Sequence, residues 1–204
     1  METKTKLPQQ IIGLYSSVAG SGKSTVARML HSRGYERVSF ADPLKNMAYS
    51  LFVDLGMNTQ EAFGAITENK GELIPRIGVT GRHVLRTLGT EWGRDCIHPE
   101  LWLRCWETQI KGYPKAVADD VRFPNEAKLI KSKGGQLWRI IRPGHTNDDG
   151  EHASEGGLDD WEFDQVIVND SGLAELATTV FDAISTSFTS DYKMTSRQEV
   201  RKVA

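Results

Sequence analysis

Cysteine is scarce. The 204 residues hold two, Cys96 and Cys105, which excludes a disulfide framework and fits a reducing, cytoplasmic setting. Long apolar runs are missing too. No stretch approaches the roughly 20 residues that a membrane span needs. The opening METKTKLPQQ has no apolar h-region, so neither a signal peptide nor a membrane partner is expected. Net charge is almost absent: 25 Lys/Arg stand against 27 Asp/Glu, a formal −2. That balance argues against a nucleic acid polymer as partner.

One absence is local. Residues 143–192 contain no Lys or Arg and 12 Asp/Glu, whereas residues 1–142 hold 21 basic and 14 acidic residues. The near-neutral average therefore cancels a basic stretch, suited to polyanionic substrates, against an acidic one.

What is present is a globular composition, 39% apolar and 25% charged, in a length that suits one ordinary domain. Short apolar runs alternate with helical patterns. Strands are expected at 10–16, 36–41, 115–121, 136–142 and 164–168. Helices are expected at 23–32, 42–55, 80–92, 99–110, 124–133 and 173–184. Asp42 reads as the N-cap of the second helix, with Pro43 at its first position. Residues 57–79 are weakly patterned. This alternation predicts an α/β fold, a five-stranded parallel sheet flanked by helices. In such sheets ligands sit at the carboxyl ends of the strands.

The first strand runs into Ser17-Val-Ala-Gly-Ser-Gly-Lys-Ser24, which matches the phosphate-binding P-loop at all but its first fixed position, where Ser17 replaces glycine. Gly20 and Gly22 allow the dihedrals that turn backbone N–H groups inward on phosphate oxygens. Lys23 would reach the β- and γ-phosphates and the Ser24 hydroxyl would hold Mg²⁺. The following helix would aim its positive end at the same anion. The pattern makes Ala19, Gly20, Ser21, Gly22, Lys23, Ser24 and Thr25 the expected ATP contacts. An acid beside the magnesium should close a neighbouring strand, and Asp119-Asp120 end the run KAVADDV.

An acceptor that is itself a phosphate needs arginine forks rather than a base, because a phosphate monoester is already mostly dianionic at pH 7. Arg82 and Arg86 are four apart on one expected helix and share a face. Arg94, Arg122 and Arg142 fall at element ends. Asp42 and Lys45 follow the second strand. Trp92, beside Arg94, is a candidate to stack on a base. Trp102, Trp106 and Ile110 recur at helical spacing and are expected in the core. Cys96, His98 and Cys105 match no zinc spacing, so core thiols beside a helix are expected instead.

These residues together resemble the deoxynucleoside monophosphate kinases of tailed bacteriophages. The P-loop, Phe40-Ala-Asp-Pro-Leu-Lys45, Leu88-Gly-Thr-Glu-Trp-Gly-Arg94, Asp120-Val-Arg-Phe-Pro-Asn-Glu126 and His152-Ala-Ser-Glu155 carry the likeness in that order. The resemblance implies a P-loop, nucleoside-monophosphate-kinase-like fold over 7–188. It implies transfer of the ATP γ-phosphoryl group to a deoxynucleoside monophosphate with Mg²⁺, in nucleotide biosynthesis in the cytoplasm (the host's, if phage-encoded). It makes Asp120 the motif acid rather than Asp119. It also brings Arg122, Glu126 and Glu155 into the site and makes a homodimer the oligomeric state to test. Residues 42–112 would form an acceptor-binding helical region, 143–160 a lid, and 189–204 a tail. Lys23, Arg122 and Arg142 are the expected catalytic cations. Two alternatives stay open. One is a dephospho-coenzyme-A-type kinase with a hydroxyl acceptor and Asp42 as general base. The other is a nucleotide-binding switch or ATPase without a small acceptor.

Overall fold

The structure is a computed structural model that describes residues 9–145 and 157–188. It divides into two compact units. One takes the described residues up to Val38 and from Ile110 on; the other is Ser39–Gln109.

The first unit is built on a parallel sheet. Its strands are β1 (Gln10–Tyr15), β2 (Glu36–Arg37), β5 (Lys115–Ala118), β6 (Gln136–Ile141) and β7 (Gln165–Val168), in the order β2-β5-β1-β6-β7. All four pairings are parallel, as expected. β1 sits in the middle and is buried along almost its whole length, which is why it reads as a continuous apolar run. Helices α1 (Lys23–His31), α6 (Pro124–Ser132) and α7 (Leu173–Ser187) belong to this unit. Ile12, Leu14, Val26, Leu30, Val117, Trp138, Ile167 and Val180 form one core between the sheet, α1 and α7.

Two strands stop earlier than expected. The run 36–41 pairs as a ladder only at Glu36–Arg37, with Val38 N–H adding one bond to Val117 O. The chain then turns off the sheet edge, because the Asp42 carboxylate takes the Ser39 N–H at 2.9 Å. The run 115–121 ends at Ala118. Beyond it Asp119 pairs with Arg37 at 2.9 Å, and Glu126 captures the Arg122 and Phe123 N–H groups at 2.8 and 3.1 Å.

The second unit is helical: α2 (Asp42–Asp54), α3 (Thr59–Ile66), α4 (Gly81–Thr87), a π-helical segment (Leu88–Ile97) and most of α5 (Leu101–Ile110), with a small hairpin of β3 (Leu73–Ile74) and β4 (Val79–Thr80). Ala48, Phe52, Ala62, Ala65, Ile66 and Ile74 are its core. Asp42 is the first residue of α2, not its N-cap; Ala41 takes that place. The weakly patterned 57–79 hides α3, whose Asn58 and Glu61 form a reciprocal capping box. The expected helix 80–92 stops at Thr87 and widens into the π-helical segment. At its far end His98 N–H closes on Gly93 O at 3.0 Å. A side chain on Gly93 would collide with the Trp102 ring, so glycine there lets the indole pack close and donate Nε1–H to Gly89 O at 2.8 Å. Trp102 and Trp106 are buried as expected, and Trp106 stacks on Phe40 at 4.6 Å. The thiols are a correction: Cys96 is exposed and Cys105 only half-buried, because Cys96 lies on the outside of the π-helical segment rather than in a packed seam. Among the described residues no helix is long and apolar enough to cross a membrane.

Candidate active site

The loop between β1 and α1 is held by its carbonyls. Arg142 Nη1 donates to Gly20 O at 3.2 Å. Asn169 Nδ2 donates to Ser21 O at 2.9 Å. Thr25 and Val26 N–H both donate to Gly22 O at 3.0 Å. In a planar trans peptide the C=O and the next N–H point opposite ways. Three anchored carbonyls therefore turn the N–H groups of Ser21, Gly22 and Lys23 to the other side, a row of donors of the kind that binds anions. Only glycine adopts the required backbone easily: Gly20 has φ +71° and Gly22 φ +104°.

Two further features fit an anion of many oxygens. The N-terminus of α1 has no side-chain cap and no acidic residue in its first turn, so no carboxylate of its own offsets the positive end of the helix dipole there. Ser21 is 1% exposed, and its Oγ has no hydrogen-bond partner among the described residues. Lys23, half-buried, and Ser24, exposed, are the first two residues of that helix. Thr25 Oγ1 accepts from Arg28 at 3.3 Å, while Ala19 is exposed at the loop's tip.

A cavity of about 530 Å³ lies over the loop. Gly20 to Thr25 and Arg142 line one part of it; Asn169, Ser171, Gly172, Leu173 and Leu176 line the rest. The strand register explains the gathering. Gly13 sits level with Ala118 of β5, and Tyr15 level with Arg139 of β6. The residues that follow β1, β5, β6 and β7 thus share one rim of the sheet. Asp120, Arg122 and Glu126 follow β5. Glu126 is 2% exposed and holds the loop that carries Arg122, which is itself exposed. Asp119 pairs with Arg37 at 2.9 Å, and Asp120 beside it is half-buried.

Asp42 and Lys45 stand on α2, Arg82 and Arg86 on α4, and Trp92 and Arg94 on the π-helical segment, all in the helical unit. Arg82 and Arg86 are exposed, Arg94 half-buried, with a weak bond to Pro99 O at 3.4 Å. Trp92 is 39% exposed and tilts against Trp102 at 6.4 Å. Glu155, most of the 143–160 lid segment and the 189–204 tail lie outside the described residues. Asp159, among the described residues 157–160, is anchored: Tyr15 Oη–H and Arg139 Nη2–H both donate to its Oδ1, at 3.0 and 2.8 Å.

Asn169 and the Ser171–Leu173 turn are not among the residues expected from sequence. The available signal was positional: Asn-Asp-Ser-Gly directly follows the last apolar strand, at the strand end where ligands gather.

A parallel sheet with a glycine-rich Gly-Lys-Ser loop between its central strand and the next helix is the architecture of P-loop nucleotide-binding proteins. The solved structure of TT1252 from Thermus thermophilus shares this fold, with a TM-score of 0.52 at 18% identity over 89% of this chain and 98% of that one. The family model for deoxynucleotide monophosphate kinase matches residues 75–180. A protein of Acanthamoeba polyphaga mimivirus, provisionally named a deoxynucleotide monophosphate kinase, is 33% identical over 191 residues, 85% of this chain and 95% of that protein. The deoxynucleoside-5'-monophosphate kinase of Escherichia phage T5 is 35% identical over 94 residues, 44% of this chain and 36% of that enzyme. The chain belongs to the deoxynucleotide monophosphate kinase family and is an enzyme of phosphoryl transfer.

Proposed function

We propose that the protein transfers the γ-phosphoryl group of ATP to a deoxynucleoside 5'-monophosphate, with Mg²⁺, giving the diphosphate. The carrying observation is the row of three loop N–H groups set by the anchored Gly20, Ser21 and Gly22 carbonyls. It supports a polyphosphate at the β1–α1 loop. Lys23 would hold the donor's terminal phosphates. Ser24 and Asp120 are a hard-oxygen pair of the sort that suits Mg²⁺, which takes few protein ligands and keeps phosphate oxygens and waters. When bound, the ion would neutralise charge on the donor phosphates.

The acceptor is proposed to be taken by side chains. Arg82, Arg86, Arg94 and Arg122 are the pool of forks for its phosphate, and Lys45 adds a point charge. Trp92, partly exposed, is proposed to stack on the base, and Asp42 to bind a sugar hydroxyl or base amino group. Glu126, and Glu155 by family likeness, shape the acceptor side. Arg142, already at Gly20 O, keeps further guanidinium donors and is proposed to meet charge that develops on the transferring group. A phosphate acceptor is its own nucleophile, so no general base is needed. The helical region 42–112, a lid over 143–160 and a homodimer belong to the same proposal.

The test is a panel of ribo- and deoxynucleoside monophosphates, with dephospho-coenzyme A, incubated with ATP and Mg²⁺ and read by ADP release. Turnover with one or more deoxynucleoside monophosphates is expected. Slow ATP hydrolysis indifferent to every monophosphate, or turnover with dephospho-coenzyme A alone, would overturn the proposal.

A further inference from the structure

β7 ends one residue before Asn169. The Asn169 backbone N–H donates to Ile141 O at 2.7 Å, which extends the β6–β7 ladder by one step. Ile141 directly precedes Arg142. The Asn169 side chain reaches the other way. Its Nδ2 donates to Ser21 O at 2.9 Å, and it lies 2.5 Å from where a Cβ on Gly22 would stand. One residue thus ties the last strand to the loop, and the loop's second glycine leaves room for the tie.

We infer that Asn169 is a positioning residue for the phosphate loop. By holding Ser21 O it fixes the Ser21–Gly22 peptide plane, and with it the aim of the Gly22 N–H at the donor's phosphates. The chemistry favours a neutral amide in this place. A carboxylate would offer no donor to Ser21 O and would set negative charge beside the phosphates; Lys or Arg would compete for the phosphate itself. Of the two side chains that hold loop carbonyls, Arg142 is exposed and its bond is 3.2 Å long. Asn169 is half-buried with the shorter bond, so water contests it less. Ser21, whose carbonyl it holds, is itself buried, so losing Nδ2 leaves a shielded acceptor unmet.

The inference rests on the loop being the donor site, and its test separates the two. ATP with Mg²⁺ is titrated calorimetrically, without acceptor, into the parent, Asn169→Ala and Asn169→Asp, and steady-state kinetics are run on each. Binding is expected to weaken about tenfold in Asn169→Ala, roughly the worth of one hydrogen bond, and further in Asn169→Asp. The KM for the monophosphate should stay within about twofold and the thermal midpoint within a few degrees. Should Asn169→Ala not fold, Asn169→Ser, which keeps a short donor, is expected to fall between parent and Asn169→Asp. ATP affinity within twofold of the parent in both variants would overturn the inference. So would a loss shared equally by ATP affinity, monophosphate KM and thermal stability, which marks a scaffold residue only. A parent that binds ATP but turns over no monophosphate would instead sink the functional proposal and leave the Asn169 comparison readable from the titrations.

Discussion

In the sheet unit, the groups proposed to meet a ligand are mostly backbone groups of one contiguous loop, Gly20 to Ser24. In the helical unit they are side chains, Asp42, Lys45, Arg82, Arg86, Trp92 and Arg94, spread from α2 to the π-helical segment. The loop's donors are fixed by three anchored carbonyls. The arginines of α4 are exposed, long and rotamer-rich, so each gives up side-chain entropy to bind. A preorganised cradle concentrates its effect in few residues; a set of exposed forks divides it among many. The comparison teaches where single substitutions should be severe and where they should be graded.

The largest effect is expected at Lys23, the cation proposed to hold the donor's terminal phosphates. Lys23→Ala should lower kcat by about 10²–10³-fold, on the scale of losing one preorganised charge-stabilising donor. A coupled ADP assay reads it. If Lys23→Ala costs no more than Arg86→Ala, the contrast between the two units fails.

Next comes Gly22. Its φ of +104° and the nearby Asn169 amide both oppose a side chain. Gly22→Ala should cost roughly 1–3 kcal/mol in denaturant unfolding and weaken ATP. Gly34 makes the control. It has φ +85° but nothing within 4 Å of a new Cβ, so Gly34→Ala should cost less and leave ATP binding alone. Equal effects at both positions would show that backbone conformation matters there and the Asn169 contact does not.

The same contrast governs what could be read from sequence. The loop was legible because its chemistry is local: glycines, Lys and Ser at fixed spacing between a strand and a helix. The parallel sheet was legible because its strands are short apolar runs. The strand order was not, since nothing local states that β5 and β6 flank β1. Asp42 was misplaced by one position because its carboxylate serves the Ser39 N–H from inside the helix. The π-helical widening after Thr87 was illegible, since no local pattern marks it; the Trp102 ring that packs against Gly93 comes from a separate element. α3 was missed although Asn58-x-x-Glu61 announces its capping box. Asn169 escaped because one Asn in a turn carries no pattern; only its reach to Ser21 O gives it meaning.

On the graded side, Arg82→Ala and Arg86→Ala should each raise the KM for the monophosphate about fivefold, leaving the ATP KM unchanged. Charged hydrogen bonds are strong when buried, but exposed ones keep only part of that. The double variant should multiply the two effects if the arginines grip independently. A rise in the ATP KM instead would move these residues to the donor side.

The smallest effect at neutral pH is expected at Tyr15, the last residue of β1. Burial first, then its bond to Asp159, pushes its hydroxyl up to about 12 from 10. A group whose folded value is raised stabilises fully below its unfolded value, and that share is lost as pH rises through the folded one. Parent stability should therefore fall between about pH 10 and 12. Tyr15→Phe removes this proton and the bond to Asp159, at a cost of about 1 kcal/mol at pH 7. Its stability should fall less steeply over the alkaline window. Some slope should remain, because burial also raises the Tyr35 hydroxyl. Denaturant unfolding of both proteins from pH 8 to 11.5 measures the difference. Parallel curves would mean that the Tyr15 proton is not held by the fold, and that Asp159 is held by Arg139 alone.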